Sequence, residues 1–408
     1  MKTRTATIDG PDSSSAGPIC ALPEGDAGAQ FASGLRIALF SGNYNCVRDG
    51  ANRALNRLVQ FLLDHGAAVR VYSPTNASPA FEPAGDLVSI PSFGIPTRPE
   101  YRIAPKLTKA AREDIRAFKP THFHLSAPDW LGTSALAFAK ELGVPVVISH
   151  HTQFESYLEY YRLTVLAGWM RRRIQRFYSA ADFVLAPNEP IAEGFRETIA
   201  GEKVGVWGRG VDRTIFKPAA RDPEWRRQLG YGDEEPVILF LGRIVLEKGL
   251  DVFANAIDEL RARGHRIVPL VIGHGPALDW FRDRLGEARF TGHLEDVDLG
   301  RAVASADILI NPSATEAFGN VNLEAMASGL AIVSADVDSA QVLIENGTSG
   351  LLVPERDIKA YAAAVERLIA SPEERARLGS AAVEASKAYN WDDVLAQVVL
   401  AYRKAAPR

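Results

Sequence analysis

Cysteine is almost absent: Cys20 and Cys46 are the two in 408 residues. They cannot build a disulfide framework, and a reducing cytoplasm is the compartment they fit. No uninterrupted apolar run is long enough to span a bilayer, which excludes an integral membrane protein. Positive charge is not in excess. Lys and Arg number 46 against 50 Asp and Glu, a net charge of −4 that argues against general nucleic-acid binding. No pair of the eight histidines has the helical spacing of a metal site, and no Cys/His cluster exists, so no bound metal is expected. There is no Walker pattern. Gly273-x-Gly275 lacks the third glycine of a dinucleotide fingerprint, since Leu278 stands in its place. Residues 1–34 are rich in Ser, Gly, Ala and Pro without an apolar segment, and read as a flexible tail, not a signal peptide.

What is present is a chain 47% hydrophobic and 24% charged, long enough for two ordinary globular domains. Strand-like runs at Leu35–Ser41, Ala68–Ser73, Thr121–Ser126, Val144–Ser149 and Ala181–Ala186 alternate with helical runs such as Ala51–His65 and Ala135–Leu142. After a polar linker at 219–236, the same alternation restarts at Val237–Gly242. The fold class is α/β: two Rossmann-like doubly wound domains, 35–218 and 237–390, with a last helix from Trp391. Ligands in such sheets bind outside the carboxyl ends of the strands. His150, His151 and Gln153 stand just past one such end, and Gly50 lies where only a small residue lets a ligand reach the backbone of a strand–loop–helix unit. A mere tight loop is the plainer reading of Gly50. His122 and His124 alternate within a strand as satisfied core groups, while His65, His265 and His293 read as surface residues.

The densest chemistry lies between Asn311 and Gly329. An apolar strand leads into a loop holding Glu316, and a helix follows with Glu324 expected in its first turn. Backbone N–H groups of Ala317, Phe318 and Gly319 can face the crevice, where a helix N-terminus favours phosphate and a carboxylate accepts sugar hydroxyls. Helix stability alone is the alternative account of an acidic residue in a first turn. Arg243 and Lys248 follow another strand, a planar fork of donors and a mobile point charge suited to clamping a diphosphate. Asp336-Val-Asp338 falls after the Glu324 helix and the strand that follows it. From Phe154 to Phe177, Tyr157, Tyr160, Tyr161 and Trp169 interleave with Arg162, Arg171, Arg172, Arg173 and Arg176. Such a segment can lie at an anionic membrane interface or pack on the domain with a solvated basic face.

The spaced set Glu316-x-Phe318-Gly319, Leu323–Gly329, Gly242-Arg243-x4-Lys248-Gly249, His151-Thr152 and Gly210-Val211-Asp212 resembles the retaining glycosyltransferases of family 4. The likeness runs over roughly residues 35–405 and is similar to GDP-mannose-dependent α-mannosyltransferases and sulfolipid-type enzymes. Ser339-Ala340 and Leu330-Ala331 depart from the usual pattern around the donor sugar. The resemblance implies a GT-B fold with an interdomain cleft and transfer of a hexose from a nucleotide sugar, GDP-mannose or a UDP-hexose, with retention and without a metal or other cofactor. It places Glu324 at the ribose, Glu316 and the Ala317–Gly319 backbone at the donor sugar, His151 beside that sugar, Arg243 and Lys248 at the leaving diphosphate, and Gly50 against the phosphate. It also implies that the helix from Trp391 crosses back to the first domain. A lipid-linked acceptor, with peripheral membrane contact through 154–177, follows from the basic aromatic segment. A GT-B nucleotide-sugar epimerase and a non-catalytic nucleotide-sugar-binding protein are the competing readings.

Overall fold

The computed structural model describes residues 26–47, 50–95, 98–151 and 164–405. Thr152, Gln153 and the 154–163 part of the basic aromatic stretch lie outside the described residues, as do Cys20 and most of the expected tail. The first strands, most of them short apolar runs, are β1 (Arg36–Phe40), β2 (Ala68–Ser73), β3 (Asp86–Ser89), β4 (Phe93–Ile95), β5 (Arg98–Ile103), β6 (His122–Leu125), β7 (Val146–Ser149), β8 (Phe183–Ala186) and β9 (Val204–Val206). Among the described residues β3-β2-β1-β6-β7-β8-β9 make one parallel sheet, with β4 and β5 a separate hairpin. A second parallel sheet has the order β12-β11-β10-β13-β14-β15. Its strands are β10 (Ile238–Leu241), β11 (Leu270–Ile272), β12 (Arg289–Gly292), β13 (Ile308–Asn311), β14 (Ala331–Ala335) and β15 (Leu351–Val353). β1, β6 and β7 are buried almost throughout, as expected of strands covered on both faces.

Strand order reverses between β1 and β6 in one sheet and between β10 and β13 in the other. The crevice of a doubly wound sheet opens at that reversal. The loop leaving β10 carries Arg243 and Lys248, that leaving β13 carries Glu316, the helix after β1 begins at Gly50, and His151 leaves β7, the neighbour of β6.

Six helices matter to the site. Helix α1 (Gly50–Asp64) buries Leu55, Leu58, Val59 and Leu62, one face at helical spacing. Helix α2 (Trp130–Leu142) starts where Asp129 accepts the Gly132 N–H at 2.6 Å and stops at Gly143, φ 67°. The others are α3 (Thr164–Ser179), α4 (Pro223–Gln228), α5 (Asn320–Ala327) and α6 (Trp391–Lys404). Helix α6 does cross back. Leu395, Val399 and Tyr402 share a core with Ile37, Leu39, Leu55 and Trp207 of the first domain. At the crossing the two connecting segments touch: Val211 donates to the Tyr389 carbonyl at 3.0 Å, and a Cβ on Gly210 would stand 2.6 Å from the Trp391 nitrogen.

Two expectations are corrected. Residues 26–34 are not all tail, because Phe31 and Ala32 are buried against α6 and Arg403 donates to the Phe31 carbonyl. The stretch read as a polar linker contains α4, capped by Asp222 with Pro223 at its first position. Buried Arg226 ties it to the second sheet through the Ser305 carbonyl at 2.7 Å and Asp307 at 2.9 Å.

Candidate active site

The loop after β13 is built on buried amides. Asn311 donates to Asn322 at 2.9 Å and Asn322 to Ser334 at 3.1 Å, joining β13, α5 and β14 beneath it. Gly319, φ 93°, ends the loop and caps α5, which therefore begins at Asn320. Glu324 thus lies in the second turn, not the first, and the helix-dipole account of it weakens accordingly. The N–H groups of Ala317, Phe318 and Gly319 make no hydrogen bond among the described residues. The other sides of these residues are committed to closing the two domains: Asn188 donates to the Ala317 carbonyl at 2.9 Å, and the buried Phe318 ring lies between Gly208 and Tyr389.

The loop after β10 meets it. Lys248 Nζ is 2.6 Å from Glu316 Oε1, both partly buried, so the lysine read as a diphosphate clamp is held by the carboxylate read as a sugar contact. Gly249, φ 71°, lets the loop pass Pro312, whose carbonyl a Cβ would approach to 2.9 Å. The side chain of partly buried Arg243 makes no hydrogen bond or ion pair among the described residues. Gly50, expected in the loop, is instead the first residue of α1. The group it admits is Asn320 of the other domain, whose Nδ2 would lie 2.6 Å from an added Cβ.

Burial pushes the Glu324 carboxyl up to about 7; the Arg53 charge opposes this and Glu316 adds to it. The folded protein therefore holds this proton more tightly than the unfolded chain, and the contribution to stability falls as pH rises from the ordinary 4.5 toward about 7. Glu324→Gln is expected to raise Tm at pH 8 and leave it unchanged at pH 4.5; thermal melts at both pH values check this, and equal shifts would refute it.

On the first domain, His151 Nε2 is 2.8 Å from Ser149 Oγ, its Nδ1 is 2.9 Å from Arg209 Nη2, and its ring meets Trp207 edge-on at 4.9 Å. Burial, then the Arg209 charge, then His124 and His150, hold its pKa well below the usual imidazole range. His150 turns away to the Tyr178 hydroxyl at 2.9 Å. Arg209 adjoins the Gly210-Val211-Asp212 element but is not among the site residues read from the sequence. Its signal was a charge between glycines in the otherwise apolar run Val206–Val211. His122 and His124 are buried core groups, as read. Phe177, counted among the aromatics of a membrane face, is buried in the first domain, whereas Arg171, Arg172 and Arg176 of α3 are exposed. Among the described residues no group of three or more His, Cys, Asp or Glu side chains could hold a metal ion, and no helix is long and apolar enough to cross a membrane.

The profile described as Glycosyltransferase Family 4 matches residues 48–214, and that of Glycosyl transferases group 1 matches 221–385. The GDP-mannose-dependent alpha-mannosyltransferase of Mycolicibacterium smegmatis is 31% identical over 90% of this chain and 96% of its own length. The chain belongs to glycosyltransferase family 4. This family 4 enzyme is also 31% identical to the sulfoquinovosyl transferase SQD2 of Arabidopsis thaliana, over 87% of this chain and 71% of the plant protein. Its fold is GT-B. The sucrose-phosphate synthase of Thermosynechococcus elongatus superposes with a TM-score of 0.73 over 90% of this chain and 98% of that one, at 20% identity. As a hexosyltransferase, it carries its candidate residues on both walls of the cleft between the two sheets.

Proposed function

We propose that this enzyme moves a hexose from a nucleotide sugar to a glycolipid acceptor with retention of the α configuration. The observation that carries the donor half is the second domain's end of the cleft. Unpaired N–H groups at Ala317–Gly319, an uncommitted Arg243 side chain and the Lys248–Glu316 pair stand at the switch point beside Glu324, whose carboxylate makes no hydrogen bond among the described residues. Such a site suits an anion at the amides and a diol at the carboxylate. As the nucleotide diphosphate leaves, Arg243, Lys248 and the α5 N-terminus stabilise the charge that builds on it, with no metal in the scheme. Glu316 and His151 flank the sugar. GDP is the favoured nucleotide because the bacterial relative named above is GDP-mannose-dependent.

The acceptor half rests on the first domain. Trp130 and Phe93 are about half exposed. Trp130 opens α2 next to Asp129, whose Oδ2 abuts Gly42. The hairpin bearing Phe93 is tied to the same loop through Asn43 and Arg102. With the exposed arginines of α3, these residues favour an acceptor with an apolar body and an anionic surface around it. That arrangement supports peripheral contact with the cytoplasmic face of a membrane.

Calorimetry with GDP, UDP and ADP tests the donor assignment. One nucleotide is expected to bind selectively, and Glu324→Ala to weaken it by about 10- to 100-fold, the worth of a hydrogen bond to a charged group. Absence of binding to any of the three by folded protein would overturn the reading.

A further inference from the structure

We propose that Arg209 is a positioning residue that locks His151 as the neutral Nε2–H tautomer, so that the histidine serves as a fixed wall of the sugar pocket and exchanges no proton. The pocket itself rests on the function proposed above; the tautomer rests on hydrogen-bond geometry alone. Arg209 is buried, with Nη2 at 2.9 Å from His151 Nδ1. A guanidinium has donors and no acceptor. Nδ1 must therefore accept, and it carries no hydrogen.

The rest follows along one chain. The single ring proton of a neutral His151 sits on Nε2 and is donated to Ser149 Oγ at 2.8 Å. The Ser149 hydroxyl donates in turn to Nε2 of His124 at 2.8 Å. His124 then carries its proton on Nδ1 and donates to the Tyr402 hydroxyl oxygen at 2.7 Å. One irreversible donor sets the sense of four hydrogen bonds, from Arg209 through His151, Ser149 and His124 to Tyr402 of α6. Among the described residues the groups facing the His151 ring are the Arg209 cation, His124 beyond Ser149, His150 next in the chain and the Trp207 edge; burial first, and then each of the three titratable ones, disfavours a second proton. With both nitrogens occupied by protein, His151 has no ring nitrogen to use as general acid or base. It can still shape the cleft through its ring and backbone.

Histidine-selective 15N NMR of the full chain tests this, with His151→Gln to assign the resonance. The expected result is an unprotonated Nδ1 and a protonated Nε2 that do not change between pH 8 and pH 5.5. An Nδ1–H tautomer, or a ring titrating near the ordinary value of about 6.5, overturns the proposal. Arg209→Met is expected to release the ring: His151 titrates by NMR. At saturating donor, kcat falls about 10- to 100-fold, and an acidic limb that the wild type lacks appears. Nucleotide affinity by calorimetry stays near wild type. Arg209→Lys keeps a donor and restores the flat NMR titration; it also serves if Arg209→Met fails to fold. If a folded Arg209→Met loses activity equally at every pH while His151 keeps its tautomer, Arg209 is a packing residue only. Failure to bind any nucleotide would overturn the donor assignment and leave the tautomer result standing.

Discussion

Lys248→Ala is expected to lower kcat by about 10²- to 10³-fold, the usual cost of deleting one preorganised donor aimed at developing charge. The ion pair with Glu316 makes the argument sharper than charge counting. The ammonium is 2.6 Å from the carboxylate, so part of its charge is already spent within the protein. On the proposed function, a leaving diphosphate carries more charge than one carboxylate and would draw Lys248 toward it, releasing Glu316 to hydroxyls of the sugar. Removing the lysine takes away the leaving-group contact and leaves Glu316 partly buried without its partner, which disfavours an anionic donor. Lys248→Ala combined with Glu316→Gln should therefore lose less than the product of the two single losses. Steady-state kinetics on the four proteins decides this. Unchanged turnover in Lys248→Ala would remove the residue from the leaving-group site.

Gly50→Leu is expected to lower kcat/KM by about 100-fold while leaving Tm near wild type, measured by kinetics and thermal melts. The first residues of α1 and α5 approach each other from opposite domains, with Asn320 Nδ2 in the space a Cβ would take. A methyl group can be met by swinging the Asn320 amide aside, so Gly50→Ala should cost little. A leucine cannot be met that way. It holds the helix ends apart and stretches the Asn188–Ala317 bond that closes the cleft nearby, yet it disturbs neither buried core. Adding Asn320→Ala makes room and should recover part of the loss. A Gly50→Leu enzyme with full activity would show that closure at this point is not needed for turnover.

Much of the candidate site was legible because it is local. Glu316, Gly319 and Glu324 sit on one strand–loop–helix unit, and Arg243 and Lys248 on another, so spacing along the chain reports spacing in the cleft. The errors came where a single backbone feature or a distant partner decides. The left-handed Gly319 starts α5 earlier than its apolar run does, which moves Glu324 into the second turn. The cap for α4 was in the sequence as Asp222-Pro223-Glu224, hidden by the polarity around it. Phe31 was the one aromatic residue in a stretch read as tail, and its partner Arg403 lies at the other end of the chain. Arg209 depends on His151, and Lys248 on Glu316; no local pattern announces either pair.

Helix α6 sets an order of events during synthesis. The first domain leaves the ribosome first, but Leu395, Val399 and Tyr402, which complete its core beside Ile37 and Leu39, are made after the whole second domain. At about 5–20 residues per second the delay is roughly 10 to 35 s. Through that interval the face that α6 will cover stays open, and His124 lacks its Tyr402 partner. The nascent first domain is thus the half most exposed to aggregation or chaperone capture, and a premature stop in the second domain damages the half already made.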